Sequence, residues 1–400
     1  MRSSAIELKM RSIHQALNKN LNEIKEVLLE HAHHRAVETE IDSALQAIAG
    51  ASVEINEYTK GKRIRQMAVY MPSNMALYFY VLYVLIPSCY ADEVHFRASG
   101  HITNQTKRIH QIFSVAIGTN AYMHEVTQKD FTELYTRTAD VVVFTGTYKN
   151  SEKLRHNIKP GAMYLFFGQG VNPVIVNEDA DIGHAVQDVI SARLFNTGQD
   201  CMCPNAIFVH EKIVRHFTEK LLFNLKDLKF GSNNNREADY GPIYYQGAYE
   251  ELLSYLAKNH QYVIHDGVIN IRTRRIDPVV MLGRLGSMAE IKEYFGPVFN
   301  IIEFSDNEIL LMELHKSFYE DRAMGISVYG SMPGDGMFSR YMLSRNKTLF
   351  DIEDPNRPFG GKGQMANYLY YEGKILTKPL LISDAIGTYS PGDEKCALGM

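Results

Sequence analysis

Phe195-Asn196-Thr197-Gly198-Gln199-Asp200-Cys201-Met202-Cys203 sets a cysteine behind a glycine-bearing loop, at the exit of an amphipathic helix pattern. That pattern runs Ile182, Val186, Val189, Ile190, Leu194, mostly at spacings of three and four. A thiol on a short polar loop at a helix exit is placed to act as a nucleophile. The same position also suits a small buried cysteine. Thiol chemistry alone leaves both readings open, so the surrounding chain must separate them.

Upstream of the loop, strands and helices alternate. Residues 65–71, 93–96, 122–126, 140–144 and 163–167 read as strands, with helical stretches at 74–88, 104–115, 129–136 and 151–157 between them. Such alternation predicts a parallel sheet covered on both faces. Sheets of this kind bind ligands at the carboxyl ends of their strands. Those ends carry Met71-Pro72-Ser73-Asn74, Phe96-Arg97-Ala98-Ser99 and Phe144-Thr145-Gly146-Thr147. No Gly-x-Gly-x-x-Gly follows any of them, so a dinucleotide would need another phosphate cradle.

Downstream, a second α/β region is expected, with a strand at 206–209 and a helix at 212–225 that buries Val214, Phe217, Leu221 and Leu225. A turn at 231–235, a helix at 249–258 and apolar runs at 279–282, 298–302 and 325–329 follow. The run 380–383 reads as strand-like, before a Gly/Pro-rich tail. At the other end, Ile6, Met10, Ile13, Leu17, Leu21, Ile24 and Leu28 mark a long helix over 5–30, and a second helix covers 38–55. His31, His33 and His34 between them read as a solvated helix end rather than a metal site.

The 400 residues suggest two domains or one large α/β unit. A net charge of −4 gives no electrostatic case for nucleic acid. Four cysteines in a long chain fit a reducing compartment, hence the cytoplasm, and Cys-Met-Cys lacks zinc-knuckle spacing, so no metal is expected. The most apolar run, Met75 to Ile86, is too short to span a bilayer and reads as a buried helix.

With these pieces in place, the segment Asn172-Pro173-Val174-Ile175-Val176-Asn177-Glu178-Asp179-Ala180-Asp181, the helix, and the stretch ending in Cys201 together resemble the NAD(P)-dependent aldehyde dehydrogenase superfamily. Glu293-Tyr294-Phe295-Gly296-Pro297-Val298 is similar to that family's E-x-F-G-P-V motif, and Pro358-Phe359-Gly360-Gly361 to its P-F-G-G. Phe144-Thr145-Gly146-Thr147 looks like its F-T-G-S turn, and Pro72-Ser73-Asn74 like its P-W-N. The motifs follow the family's order from residue 65 onward.

The resemblance implies an α/β fold: a Rossmann-like parallel-sheet cofactor domain, an α/β catalytic domain and a short C-terminal oligomerisation strand. The bounds expected are 1–168 for the N-terminal helices and cofactor domain, 169–350 for the catalytic domain, and 351–400 for the return segment and tail. It implies Cys201 as the nucleophile that attacks a carbonyl carbon. Asn74, with the backbone N–H of Cys201, would hold the oxyanion, a donor typically worth about 3 kcal/mol of barrier. Glu293 would hold the nicotinamide ribose with Phe295 beside it. Gly146 and Thr147 would carry the pyrophosphate at a helix N-terminus, next to Pro72 and Ser73. Arg97 stands where the family usually has a Lys on the adenosine ribose. The implied chemistry is thiolate attack, hydride transfer to NAD or NADP, and a thioester on the cysteine that water or a thiol releases.

The sequence departs from the family in ways that matter. Counting back from Asn172-Pro173, the Glu that activates water falls on Phe167, within Phe166-Phe167-Gly168-Gln169-Gly170. A phenyl ring cannot take a proton, and general-base help is worth about two to four powers of ten. Gln169 can orient a water but is no base. This shifts weight toward thioester chemistry, with coenzyme A as acyl acceptor or, in reverse, an acyl thioester as substrate. A catalytically degenerate binding subunit is a further reading, opposed by the joint presence of Cys201, Asn74, Glu293 and Phe295. Gly100 replaces the acid that often binds the adenosine ribose, with Arg97 and His101 nearby, so NADP(H) is expected to be accepted.

The chain is short for the family and nearly lacks the hairpin around 56–62, so a homodimer is expected rather than a tetramer. Ser73 replaces a Trp and Ser151 a Gly. Asp200 should raise the Cys201 pKa unless it points away. Cys203 is expected to line the pocket, and Tyr78, Tyr80, Tyr83 and Phe195 to favour an apolar or aromatic acyl group.

Overall fold

A computed structural model describes residues 2–332 and 334–389. The end of the Gly/Pro-rich tail and Cys396 lie outside the described residues. The chain opens with α1 (Arg2–Lys19) and α2 (Leu21–Leu29), followed by α3 (His34–Tyr58). The single helix expected over 5–30 is broken at Asn20, whose backbone leaves the helical region (φ −110°, ψ 21°) and whose amide donates to the Ala16 carbonyl at 2.8 Å. The apolar stripe survives the break, and Ile6, Ile13, Leu17, Ile24, Ile41 and Ile48 all enter one core with the first sheet.

That sheet is built from β1 (Ile64–Tyr70), β2 (Ala91–Arg97), β3 (Ala121–Met123), β4 (Val141–Thr145) and β5 (Met163–Phe167). The connections are α4 (Ala76–Tyr80), which runs into a π-helical turn at Val81–Leu85, then α5 (Thr103–Ile117), α6 (Gln128–Phe131) and α7 (Tyr148–Arg155). The strands are parallel in the order β5-β4-β1-β2-β3. The chain leaves β1 toward one side and returns to β4 on the other, which makes a crevice at the carboxyl ends of β1 and β4.

The second sheet contains β6 (Pro173–Val176), β7 (Ala206–His210), β8 (Val263–His265), β11 (Val279–Arg284), β12 (Val298–Phe304), β13 (Gly325–Tyr329) and β14 (Met342–Arg345), with β9 (Ile269–Asn270) and β10 (Arg275–Ile276) forming a separate hairpin. Its order is β14-β13-β6-β7-β12-β11-β8, parallel except for β8. The helices α8 (Ile182–Leu194), α9 (Glu211–Leu225), α10 (Gln246–Lys258), α11 (Asn307–Leu314) and α12 (Ser317–Glu320) connect the strands, and apolar clusters fill both faces. The chain then returns, and β15 (Asn367–Tyr371) pairs antiparallel with β5, with β16 (Lys374–Leu376) at the outer edge of the first sheet.

Two expectations are corrected here. The run 380–383 is not a strand: only Leu380 pairs, with Phe359, and the helix α13 (Ile382–Thr388) begins directly after it. Ser383 donates to Glu54 at 2.7 Å while Ala385 and Ile386 enter the core beside α3, so tertiary packing overrides local strand preference. His31 and His33 are not solvated either; each is 2% exposed. The turn between α2 and α3 is pressed against the second sheet's loops, with the His33 N–H donating to Asn196 Oδ1 at 3.0 Å and Asn233 Nδ2 to the Leu29 carbonyl at 3.0 Å.

Candidate active site

The loop after α8 turns sharply. Asn196 (φ 45°), Thr197 (φ 59°) and Gly198 (φ 78°) lie in succession in the left-handed region, which non-glycine residues rarely adopt. The surroundings hold it there. Asn196 takes the His33 N–H, Thr197 Oγ1 accepts from the Gly241 N–H at 2.8 Å, and Gln199 Oε1 from the Tyr244 N–H at 2.7 Å. Arg193 is completely buried and donates to the carbonyls of Pro204 and Gly198, both at 2.8 Å, and of Tyr294 at 3.1 Å. Its guanidinium also lies over the Tyr294 ring, 4.8 Å from the centroid. The Gly296 N–H closes on the Gly198 carbonyl at 3.2 Å. The cysteine loop and the Glu293–Pro297 segment are therefore held as one unit.

This unit faces the crevice of the first sheet. Pro72, Ser73, Asn74, Gly146, Thr147, Cys201, Glu293 and Phe295 all line one cavity of about 330 Å³. Phe167, Tyr78 and Tyr83 line it as well, and the Phe167 ring stacks on Tyr83 with centroids 5.3 Å apart. Arg97 does not reach this cavity; it sits one strand over, at the end of β2. Tyr80 turns away to bond His110 at 2.7 Å, and Phe195 packs on Phe350 with centroids 4.6 Å apart. Cys203 is also outside the cavity: it is buried, with Sγ 3.8 Å from the Phe195 carbonyl, because Met202 takes the wall position instead.

Carboxyl groups dominate the electrostatics. Asp200 does not point away: its Oδ1 accepts the Met202 N–H at 2.9 Å, its Oδ2 lies 3.4 Å from Asn74 Nδ2, and its charge acts on the Cys201 thiol. Asn74 therefore faces Asp200, in a long bond that is easily exchanged. Glu293 accepts from Gln169 Nε2 at 2.9 Å, and burial pushes its pKa up to about 7. Glu353, also on the wall, accepts from the Tyr78 hydroxyl at 2.6 Å, and burial likewise pushes it up to about 7. Burial first, then the charges of Asp200, Glu293 and Glu353, hold the Cys201 thiol well above its usual range. Burial pushes Cys203 up to about 12.

Known proteins resemble this chain in sequence and in fold. Residues 126–318 match the aldehyde dehydrogenase family. The chain is 25% identical over 244 residues to a 4,4'-diapolycopene-4,4'-dial dehydrogenase from Cytobacillus firmus, covering 59% of this chain and 52% of that protein. It is 27% identical over 238 residues to a 4,4'-diaponeurosporen-aldehyde dehydrogenase from Staphylococcus aureus, covering 56% of this chain and 50% of that one. The fold is that of a succinic semialdehyde dehydrogenase from Streptococcus pyogenes solved with NADP+, at TM-score 0.82 and 14% identity, over 95% of this chain and 88% of that one. These matches support membership of the aldehyde dehydrogenase superfamily. It spans about half the length of the curated relatives it matches.

Within this aldehyde dehydrogenase fold, the strand ends suit a dinucleotide. Arg97 Nε is buried with no partner, and its guanidinium makes no ion pair among the described residues. Thr147 caps α7 through Oγ1, which accepts the Asn150 N–H at 3.3 Å, so the helix N-terminus faces the crevice. A Cβ on Gly146 would meet the Phe144 ring at 3.0 Å, so the backbone there stays bare. Ser151 is fully buried, bonding the hydroxyls of Tyr164 at 2.9 Å and Tyr368 at 2.8 Å.

Sequence reasoning missed Arg193, Tyr245, whose hydroxyl donates to the Ser73 carbonyl, and Glu353. The signal for Glu353 was the acidic run Asp351-Ile352-Glu353-Asp354-Pro355 just ahead of Pro358-Phe359-Gly360-Gly361.

Proposed function

We propose that the protein is an NAD(P)-dependent aldehyde dehydrogenase that forms an acyl-enzyme on Cys201. The observation that carries this reading is the convergence of Cys201, Asn74, Glu293 and Phe295 on one cavity. Cys201 Sγ attacks the carbonyl carbon, and the carbonyl π pair moves to oxygen. Asp200, the neighbouring carboxylate, takes the thiol proton in this reading. Asn74, once it exchanges Asp200 for the substrate oxygen, and the Cys201 N–H stabilise the oxyanion, a donor of this kind being worth about 3 kcal/mol. The dinucleotide, when bound, supplies a hydride acceptor. Glu293 and Phe295 position its nicotinamide end, Pro72, Ser73, Gly146 and Thr147 its middle, and Arg97 its adenosine ribose. The unpaired Arg97 charge supports acceptance of NADP(H) beside NAD(H).

The substrate is an aldehyde with an apolar or aromatic body, in keeping with the Tyr78 and Tyr83 walls. We take the enzyme to act as a homodimer in the cytoplasm; among the described residues no helix is long and apolar enough to cross a membrane. Phe167, which lines the cavity, favours a second reading in which coenzyme A or a carrier thiol takes the acyl group, or an acyl thioester is reduced in reverse.

The test mixes the protein with NAD(P)+ and a panel of aldehydes, with and without coenzyme A, and follows absorbance and intact mass. The expected result is a burst of reduced cofactor and an acyl adduct that is absent in Cys201→Ala. No adduct together with no cofactor binding would leave the binding-subunit reading standing.

A further inference from the structure

We propose that Glu353 is the general base that passes the acyl group from Cys201 to water, in the place left vacant by Phe167; this rests on the acyl-enzyme reading above. Elimination among the wall groups points to it. Phe167 has no proton acceptor and is locked by its stack on Tyr83. Glu293 gives Oε2 to Gln169, and the reading above assigns its carboxylate to the nicotinamide ribose. Asp354 accepts the Asn356 N–H at 2.9 Å and is exposed. The oxygens of Asp200 serve the Met202 N–H and Asn74. Both oxygens of Glu54 are taken, one by Ser383 at 2.7 Å and one by Asn356 at 2.8 Å. Outside the contacts assigned to the cofactor, Glu353 combines a fixed orientation with an oxygen left over: Tyr78 donates to Oε1, and Oε2 has no hydrogen-bond partner among the described residues.

Glu353 and Cys201 line the same cavity, and the Glu353 charge acts on the Cys201 thiol. A water bound in that cavity between them is the nucleophile the proposal requires. Burial places the carboxyl at about 7, where a base is half ionised at neutral pH and still holds a proton well.

The step balances. Glu353 Oε2 takes a proton from water as the water oxygen bonds to the thioester carbon. The tetrahedral adduct then collapses with cleavage of the C–S bond. The carboxylic acid leaves, and the Glu353 proton returns to the sulfur. No oxidant or reductant is consumed.

The test separates acylation from release. p-Nitrophenyl acetate acylates a reactive cysteine without any cofactor, and intact mass then follows loss of the acetyl group from Cys201. Wild type should release it in water, faster as pH rises through about 7. Glu353→Gln keeps an acceptor for Tyr78 and should show the same acetylation burst. Its release should slow by about two powers of ten or more and lose that pH dependence, and Glu353→Asp should recover part of it. Coenzyme A should restore release in Glu353→Gln by serving as its own nucleophile. Equal release rates and pH profiles in wild type and Glu353→Gln would overturn the proposal. So would a wild-type acyl-enzyme that water leaves intact and only a thiol discharges. Failure of Cys201 to acylate in any variant would instead remove the acyl-enzyme reading.

Discussion

Burial is the first cause that opposes ionisation of the Cys201 thiol, and the carboxylate of Asp200, directly before it, is the second. Two like charges this close disfavour each other, so the resting site holds the proton on sulfur. Asp200→Asn removes the charge and keeps a side chain that can bond the Met202 N–H region and Asn74. The thiol pKa should then fall, by about one unit for a neighbouring charge. Iodoacetamide alkylation of Cys201 at a fixed pH above neutrality should therefore speed up about tenfold, with the midpoint of its pH profile displaced downward. An unchanged profile would mean that the Asp200 charge is not what restrains the sulfur. The sequence placed Asp200 beside Cys201 but said nothing of its direction, which depends on Asn74 and Met202 meeting it in space.

At the scale of elements, the strand and helix alternation was legible because burial on two faces of a sheet imposes a period that each segment carries by itself. The apolar stripe of α8 and the residues at the ends of β1 and β4 could be read for the same reason. The cysteine loop could not, since its shape depends on partners distant in sequence: Asn196 meets His33, and Thr197 meets Gly241. His31 and His33 looked solvated for the same reason. Gly198 tests how tightly this loop is specified. Its φ of 78° is costly for a side chain, and an added Cβ would lie 2.4 Å from the Gly296 carbonyl oxygen. Gly198→Ala should cost about 1–2 kcal/mol from the backbone term and more from the displaced Glu293–Pro297 segment. The expected outcome is a folded protein with a lowered melting temperature whose Cys201 acylates at least tenfold more slowly, checked by thermal melts and the acetylation burst.

Across the whole molecule, α3 reaches the cavity wall directly through Glu54 and indirectly through the buried Glu40. Glu40 on α3 accepts the Leu77 N–H at 2.7 Å and the Tyr78 N–H at 3.2 Å, so it fixes the start of the helix that carries Tyr78 and, through it, Glu353. Burial pushes Glu40 from 4.5 up to about 7. Between those values the folded chain keeps a proton that the unfolded chain has lost, so this group's contribution to stability falls as pH rises through the window. His31 and His33 act oppositely. Burial lowers each from 6.5 to about 4, so the unfolded chain binds the extra protons there and stability rises with pH over that range. In the wild type these trends add to those of Glu293 and Glu353, which burial also raises to about 7. Glu40→Gln removes the first and leaves the second. Its stability relative to wild type should therefore climb between about pH 5 and about pH 8, by on the order of 2–3 kcal/mol. Urea unfolding of both proteins across that range measures the difference directly. A difference that stays flat with pH would mean that Glu40 is ionised in the folded chain, and that the link from α3 to the cavity wall is a charge held by the two N–H donors of α4.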